Sequence, residues 1–264
     1  MLTRPFYVPA EREDEVFRAA YDAGLPILLK GPTGCGKTRF VEAMAHAVGR
    51  PLISVACHDD LSAADLLGRF LLEGSSTVWQ DGPLTRAVRE GAICYLDEVV
   101  EARSDTLTVI HGLTDHRRAL TIERTGEELS AAPGFGLVVS YNPGYQSVLK
   151  QLKPSLRQRM VAIGLNYLPN ETETSVVATE TGLPREPAER LVAVATAIRR
   201  QHQLGLAEVA GTRTLVAAAH LMMAGVETRI ALKHSIVEVL SDDDEAVEAL
   251  MQIVDTFFVP EPVG

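Results

Sequence analysis

The residues best suited to chemistry are Gly31-Pro32-Thr33-Gly34-Cys35-Gly36-Lys37-Thr38, which match the pattern GxxxxGK[ST]. Glycines at these spacings let successive backbone N–H groups wrap an anion, helped by the positive end of a helix that follows. In such a loop Lys37 reaches the β- and γ-phosphates of a nucleoside triphosphate and the Thr38 hydroxyl ligates Mg²⁺. All eight residues, Gly31 to Thr38, are therefore candidate nucleotide ligands. A lysine that merely follows a Gly-rich turn would not come with a strand before it and a helix after it. Here Ile27–Leu29 reads as that strand and Thr38–Val48 as that helix.

Triphosphate chemistry also needs carboxylates, and Ile93-Cys94-Tyr95-Leu96-Asp97-Glu98 supplies two after a four-residue apolar run. Ligands bind at the C-terminal ends of parallel strands. Asp97 is placed to hold Mg²⁺ through its water shell, and Glu98 to orient or deprotonate an attacking water. An acidic pair after an apolar run can also be a simple helix cap, but its position about 60 residues past a phosphate loop favours catalysis.

Farther along, Asn142 ends the run Val138-Val139-Ser140-Tyr141, where its amide can reach the γ-phosphate or the water; the alternative is a turn-forming Asn-Pro. Arg157 and Arg159, two apart, would be unremarkable on a solvated face; at the end of an ATPase domain they could reach a neighbouring subunit's nucleotide, where a guanidinium offsets transition-state charge. Arg213 opens a helix, where a cation opposes the helix dipole, and so points to an anionic partner, the alternative being a simple exposed arginine.

Elements must position these groups. Besides Ile27–Leu29, the short apolar runs Leu52–Val55, Ile93–Leu96 and Leu137–Ser140 read as buried strands, each separated by enough chain for a crossover helix. That alternation predicts an α/β fold, a parallel central sheet covered by helices on both faces. Beyond Leu168 the pattern turns helical over Glu171–Thr181, Ala188–Leu204, Thr212–Ala224, Glu227–Leu240 and Asp242–Phe258, with Asp242–Glu245 suited to a helix start. The expected organisation is a nucleotide-binding domain over 1–168 and a small all-helical lid over 169–264. Arg118–Ala131 reads as a hairpin around Arg124-Thr125-Gly126. Asp65–Gln80 reads as a helix and a loop packed on the core.

The 264 residues, 46% hydrophobic, suit one to two domains of about 150 residues each. Twenty-five Lys+Arg against 35 Asp+Glu give a formal charge of −10, which opposes a nucleic-acid-binding role. Cys35, Cys57 and Cys94 lack CxxC spacing and suit a reducing compartment. Neither a signal-peptide pattern nor an apolar run long enough for a bilayer is present, so a cytoplasmic protein without membrane insertion is expected. The seven histidines form no HExxH pattern. A P-loop small-molecule kinase remains a remote alternative, for want of an evident acceptor pocket.

In this order, phosphate loop, Asp97-Glu98, Asn142, paired arginines and lid arginine resemble an AAA+ ATPase, a P-loop NTPase αβα sandwich with a helical lid. Asp65-Leu66-Leu67-Gly68, Gly82-Pro83-Leu84 and Ser155-Leu156-Arg157-Gln158-Arg159 are similar to the MoxR branch, and the GPTGCGKT loop and compact length to its CbbQ/NirQ/NorQ subgroup. The resemblance implies ATP with Mg²⁺, Asn142 as sensor 1, Arg157 or Arg159 as arginine finger, and Arg213 as sensor 2. It also implies that Arg118–Ala131 is the insertion before sensor 1, and that Asp65–Gln80 is a helix-2 insertion facing a central pore. By the same resemblance the chain forms a homo-hexameric ring, works with a von Willebrand factor A-type adaptor, and remodels a client enzyme. That client is expected to be Rubisco, released from inhibitory sugar phosphates, with a nitric oxide or nitrite reductase as the alternative.

Overall fold

The computed structural model describes residues 5–143, 152–201 and 209–258. They form two compact units: one runs up to Leu165 but excludes Pro32–Gly36, and the other joins Pro32–Gly36 to the chain from Asn166 onward.

In the first unit, helix α1 (Glu13–Asp22) precedes strand β1 (Ile27–Lys30), and the phosphate loop leads into α2 (Lys37–Ala47). There follow β2 (Leu52–Ala56), α3 (Ala63–Leu67), β3 (Gly68–Glu73), β4 (Ser76–Asp81), α4 (Pro83–Glu90) and β5 (Ile93–Asp97). Two 3₁₀ turns then lead to β6 (Ala119–Ile122), β7 (Glu127–Ser130), β8 (Gly136–Tyr141), α5 (Pro154–Arg157) and β9 (Val161–Gly164).

Five strands make a parallel sheet in the order β2-β5-β8-β1-β9. Ile27, Leu28, Leu29, Ile93 and Leu96 are buried in it, as short apolar runs covered on both faces should be. α1 packs on β1 and β9, α2 on β5, and α4 on β2 and β5. All four strands read from the sequence are present. β9 is a fifth that the sequence pattern does not announce, four residues added beside β1.

Both insertions are hairpins. β6 and β7 pair antiparallel about a turn with Gly126 at φ 72°, as expected for Arg118–Ala131. The segment Asp65–Gln80 departs from its reading as a helix and a loop: α3 ends at Leu67, and β3 and β4 form a hairpin closed at Gly74-Ser75. Cross-strand pairing explains the difference. Phe70 stands opposite Trp79 with ring centroids 5.1 Å apart, and Leu71 stands opposite Val78. The base of this hairpin joins two motifs distant in sequence: Leu67 O accepts the Gly82 N–H at 2.9 Å and the Thr85 hydroxyl at 2.6 Å. A Cβ on Gly82 would fall 2.4 Å from Leu66 O, so only glycine allows that approach.

The second unit holds α6 (Asn170–Thr181), α7 (Arg185–Arg199), α8 (Thr212–Met223), α9 (Thr228–Leu232), α10 (Glu238–Leu240) and α11 (Asp244–Phe257). Leu191, Val194, Ala195 and Ile198 are fully buried, the stripe their spacing predicts. Asp243 caps α11 by accepting the Ala246 N–H at 2.9 Å. Two helical readings are revised. The expected Glu227–Leu240 helix is interrupted by a π-helical turn at Lys233–Val237, and the expected Ala188–Leu204 helix ends at Arg199, part of its C-terminal stretch lying outside the described residues.

A buried ion pair ties this unit together. Glu173, fully buried, accepts two bonds from the Arg199 guanidinium, at 2.7 and 2.8 Å, and one from the Thr212 hydroxyl at 2.6 Å. Arg199 also stacks over the Tyr167 ring at 4.0 Å. Truncating one member leaves the other charge buried and unpaired. Glu173→Ala is therefore expected to lower unfolding stability by about 3–5 kcal/mol, while Glu189→Ala, which removes an exposed pair with Arg185, changes it by less than about 1 kcal/mol. Urea denaturation of the two variants checks both values.

Candidate active site

β1 runs out at Lys30 and the chain turns through Gly31–Gly36 before α2 begins at Lys37. The Gly31 N–H donates to Tyr141 O at 3.4 Å, pinning the loop entrance to the end of β8. Gly34 and Gly36 have φ of 75° and 97°, the left-handed region that frees the backbone to curl. Lys37 is 6% exposed; its Nζ donates to Gly31 O at 3.0 Å and stands 3.5 Å from Glu98 Oε1. Thr38 Oγ1 donates to Asp97 Oδ2 at 3.3 Å.

The parallel register brings these groups together. β5 lies beside β8 with Leu96 opposite Val139, and β8 lies beside β1 with Tyr141 opposite Lys30. Asp97 closes β5 and Asn142 follows β8, so both emerge at the end of the sheet where the phosphate loop starts. Asn142 is buried. Glu98 comes after the last strand residue in a left-handed conformation, φ 52° and ψ 49°, and so leaves the direction of the strand.

Two residues the sequence reading passed over complete the group. The Tyr95 phenol donates to Asp97 Oδ1 at 2.6 Å, and Ser140 Oγ donates to the same oxygen at 2.5 Å. Ser140 Oγ in turn accepts the Glu98 N–H at 3.1 Å. Tyr95 counts as an apolar strand residue by pattern; its hydroxyl partner lies two residues on, on the same strand face. Burial, then the nearby Asp97 charge, pushes the Tyr95 phenol above its ordinary range, so it is a donor at neutral pH. Burial likewise raises the Cys57 thiol to about 12, with Asp97 and Glu98 adding to the effect, and the Cys94 thiol to about 12. Both stay protonated and inert, and no disulfide links the three cysteines.

The remaining loop residues pack within the helical unit. Thr33 O accepts the Tyr167 hydroxyl at 2.9 Å, and Cys35 N–H reaches Pro32 O at 3.4 Å. A Cβ on Gly34 would lie 3.0 Å from the Cα of Gly211, the residue that caps α8. Arg213 is the second residue of that helix and is exposed. Tyr167, Arg199 and Glu173 carry no motif; only their tertiary contacts mark them.

Arg157 and Arg159 stand apart from this constellation. Both are exposed, Arg157 at the end of α5 and Arg159 two residues later, where it donates to His111 O at 3.4 Å.

A hydroxyl and a carboxylate oxygen 3.3 Å apart form a hard-oxygen donor set that suits Mg²⁺, which keeps most of its waters and needs few protein ligands. Lys37 and the curled loop suit phosphates. Gly31, Lys37, Thr38, Asp97, Glu98 and Asn142, all of the first unit, thus form a set whose chemistry suits a metal-chelated triphosphate.

Comparison with known proteins agrees with this chemistry. Residues 26–160 match the AAA domain of the dynein-related subfamily, and residues 173–257 match the CbbQ/NirQ/NorQ C-terminal domain. The denitrification regulatory protein NirQ of Pseudomonas aeruginosa is 58% identical, over 95% of this chain and 96% of its own. Protein NorQ of Paracoccus denitrificans is 56% identical, over 96% and 94%. Protein CbbQ of Hydrogenophilus thermoluteolus is 50% identical, over 97% and 96%. Among solved structures, a proline-to-glycine variant of RuvB from Thermotoga maritima superposes with a TM-score of 0.59 at 16% identity, covering 98% of this chain and 80% of that one; it shares the fold. No described helix is long and apolar enough to cross a membrane. Matched along nearly its whole length, the chain is an AAA+ ATPase of the MoxR type and belongs to the CbbQ/NirQ/NorQ group.

Proposed function

We propose that this ATPase is a chaperone-like remodelling motor that works as a homo-hexameric ring, with a von Willebrand factor A-type adaptor, on an inactive client metalloenzyme. The observation that carries the reading is the convergence of Lys37, Thr38, Asp97 and Glu98 at one end of the sheet, while Arg157 and Arg159 point outward. Such a site holds its own nucleotide and offers a guanidinium to a neighbour's.

In this reading Gly31–Gly36 wrap the phosphates with backbone N–H groups, and Thr38 with Asp97 holds Mg²⁺. The metal, when bound, neutralises charge on the β- and γ-phosphates. Lys37 exchanges its partners Gly31 O and Glu98 for phosphate oxygens, which releases Glu98 to orient water and take its proton. Asn142 aligns that water or the γ-phosphate. Arg157 or Arg159 of the adjacent subunit offsets the transition-state charge, and Arg213 from the lid reports the nucleotide state to the helical unit. Hydrolysis is mostly positioning, so small rotations between subunits turn the site on and off.

For the client, identities of 56–58% with NirQ and NorQ against 50% with CbbQ support a nitric oxide or nitrite reductase. The expectation of Rubisco from resemblance alone has weaker support, from the CbbQ relative. Incubating the protein and its adaptor with either client decides between them. Reductase activity is expected to rise only with hydrolysable ATP; recovery of sugar-phosphate-inhibited Rubisco instead would reverse the assignment.

Glu98→Gln is expected to bind ATP normally and to lower turnover about a hundredfold or more; unchanged phosphate release would remove Glu98 from its role. One of Arg157→Ala and Arg159→Ala is expected to lose about a thousandfold. Mixing that variant with Glu98→Gln should restore activity, because an intact Glu98 site then meets an intact arginine from its neighbour. Absence of complementation by both arginine variants would show that hydrolysis is completed within a single subunit.

A further inference from the structure

We propose that Tyr95 and Ser140 are positioning residues for ATP hydrolysis, a two-hydroxyl clamp that fixes the Asp97 carboxylate for Mg²⁺ and anchors Glu98 beside it. The inference rests on the reading of Asp97 and Glu98 as the metal and water residues. It concerns side chains to which neither the motif pattern nor the family resemblance gives a role.

The shortest hydrogen bonds place both hydroxyl protons on Asp97. A hydroxyl has one proton to give. Tyr95 gives its proton to Asp97 Oδ1 at 2.6 Å, and Ser140 gives its own to the same oxygen at 2.5 Å. The two hydroxyl oxygens then stand 3.1 Å apart as neighbours on one acceptor. Ser140 Oγ uses a lone pair for the Glu98 N–H at 3.1 Å. Oδ1 is thus occupied by two neutral donors, and rotation of the carboxylate is blocked. Oδ2 is left facing Thr38 Oγ1 at 3.3 Å, the place where a shared cation would sit. Both clamp residues are fully buried, so water cannot take over their bonds.

The clamp spans two strands. Tyr95 and Asp97 share one face of β5, two residues apart, while Ser140 lies on β8, the adjacent strand. Ser140 therefore transmits the position of β8, which ends next to Asn142, to both acids at once. Tyr95 bonds Asp97 directly and reaches the Glu98 amide only by way of Ser140. The two side chains predict different losses: Tyr95 acts on the metal alone, and Ser140 on the metal and the water.

Outer partners of metal ligands typically contribute about 10–100-fold to metal affinity or activity. The test measures binding of a fluorescent ADP analogue to the full chain with and without Mg²⁺, together with steady-state ATP hydrolysis, for Tyr95→Phe, Ser140→Ala and Ser140→Thr. Both hydroxyl deletions are expected to keep metal-free nucleotide affinity and to lose about tenfold of the affinity gained from Mg²⁺. Ser140→Ala should in addition lower kcat at saturating Mg²⁺, and Ser140→Thr, which keeps the hydroxyl, should recover most of both.

An unchanged Mg²⁺ gain in Tyr95→Phe and Ser140→Ala would overturn the proposal. So would an equal loss of metal-free binding, the mark of a merely structural defect. Should Ser140→Ala not fold, Tyr95→Phe, which removes a single oxygen, decides by the same readings. Asp97→Asn and Glu98→Gln are measured alongside. If those variants retain hydrolysis, the catalytic reading has failed; if they lose it while the clamp variants match the parent, only the clamp has.

Discussion

Everything at the nucleotide end of this protein depends on the parallel register of three strands. β5, β8 and β1 are matched so that Leu96 faces Val139 and Tyr141 faces Lys30. Each strand is apolar until its last residue or two and polar immediately after. Aligning three such strands in one direction collects their polar exits into a single patch, which is why Gly31, Asp97 and Asn142 meet although 66 and 111 residues of chain separate the latter two from Gly31. An antiparallel pairing would have sent one exit to the far edge. The strands are buried on both faces, so a slip of register would cost far more than the polar contacts return.

The helical unit has its own constraint, and it reaches the phosphate loop. Thr33 is held through its carbonyl by Tyr167, and Gly34 packs backbone to backbone against Gly211. Tyr167 lies under Arg199, and Arg199 with Thr212 holds Glu173. One connected set thus runs from the Gly-rich loop at Thr33 and Gly34 to the first turn of α8, where Arg213 stands. A buried ion pair is a poor source of net stability, because removing two charges from water offsets most of their attraction. Its worth here is geometric: the fork of Arg199 fixes Glu173, and Glu173 fixes the entry of α8.

Sequence alone makes part of this legible. The phosphate loop, the acidic pair and Asn142 are readable because their chemistry needs certain residue types at short spacing, and the four strands because each is an isolated apolar run. The β6–β7 hairpin is readable for the same local reason, a Gly at a turn between two β-like runs. What escapes is set by distant partners. β9, Val161–Gly164, is a strand only because β1 offers it an edge. The β3–β4 hairpin depends on Phe70 meeting Trp79, nine residues away, within a stretch whose leucines also suit a helix. Ser140 and Tyr95, 45 positions apart, look like strand filler until the chain between them folds away and their hydroxyls meet.

Glu98 shows how these levels trade against one another. A side chain at φ 52° is held in a region that costs non-glycine residues about 1–3 kcal/mol. Glycine would relieve the strain and lose the carboxylate. Continuing the strand would keep the carboxylate and carry it to the face opposite Asp97. The left-handed turn is the conformation that keeps the acid and swings Oε1 to 3.5 Å from Lys37. Its backbone amide, which the turn removes from the sheet, is taken by Ser140 rather than left unpaired. The strain is thus local, its compensation comes from the neighbouring strand, and the net effect is a carboxylate already pointing at the loop before any nucleotide arrives.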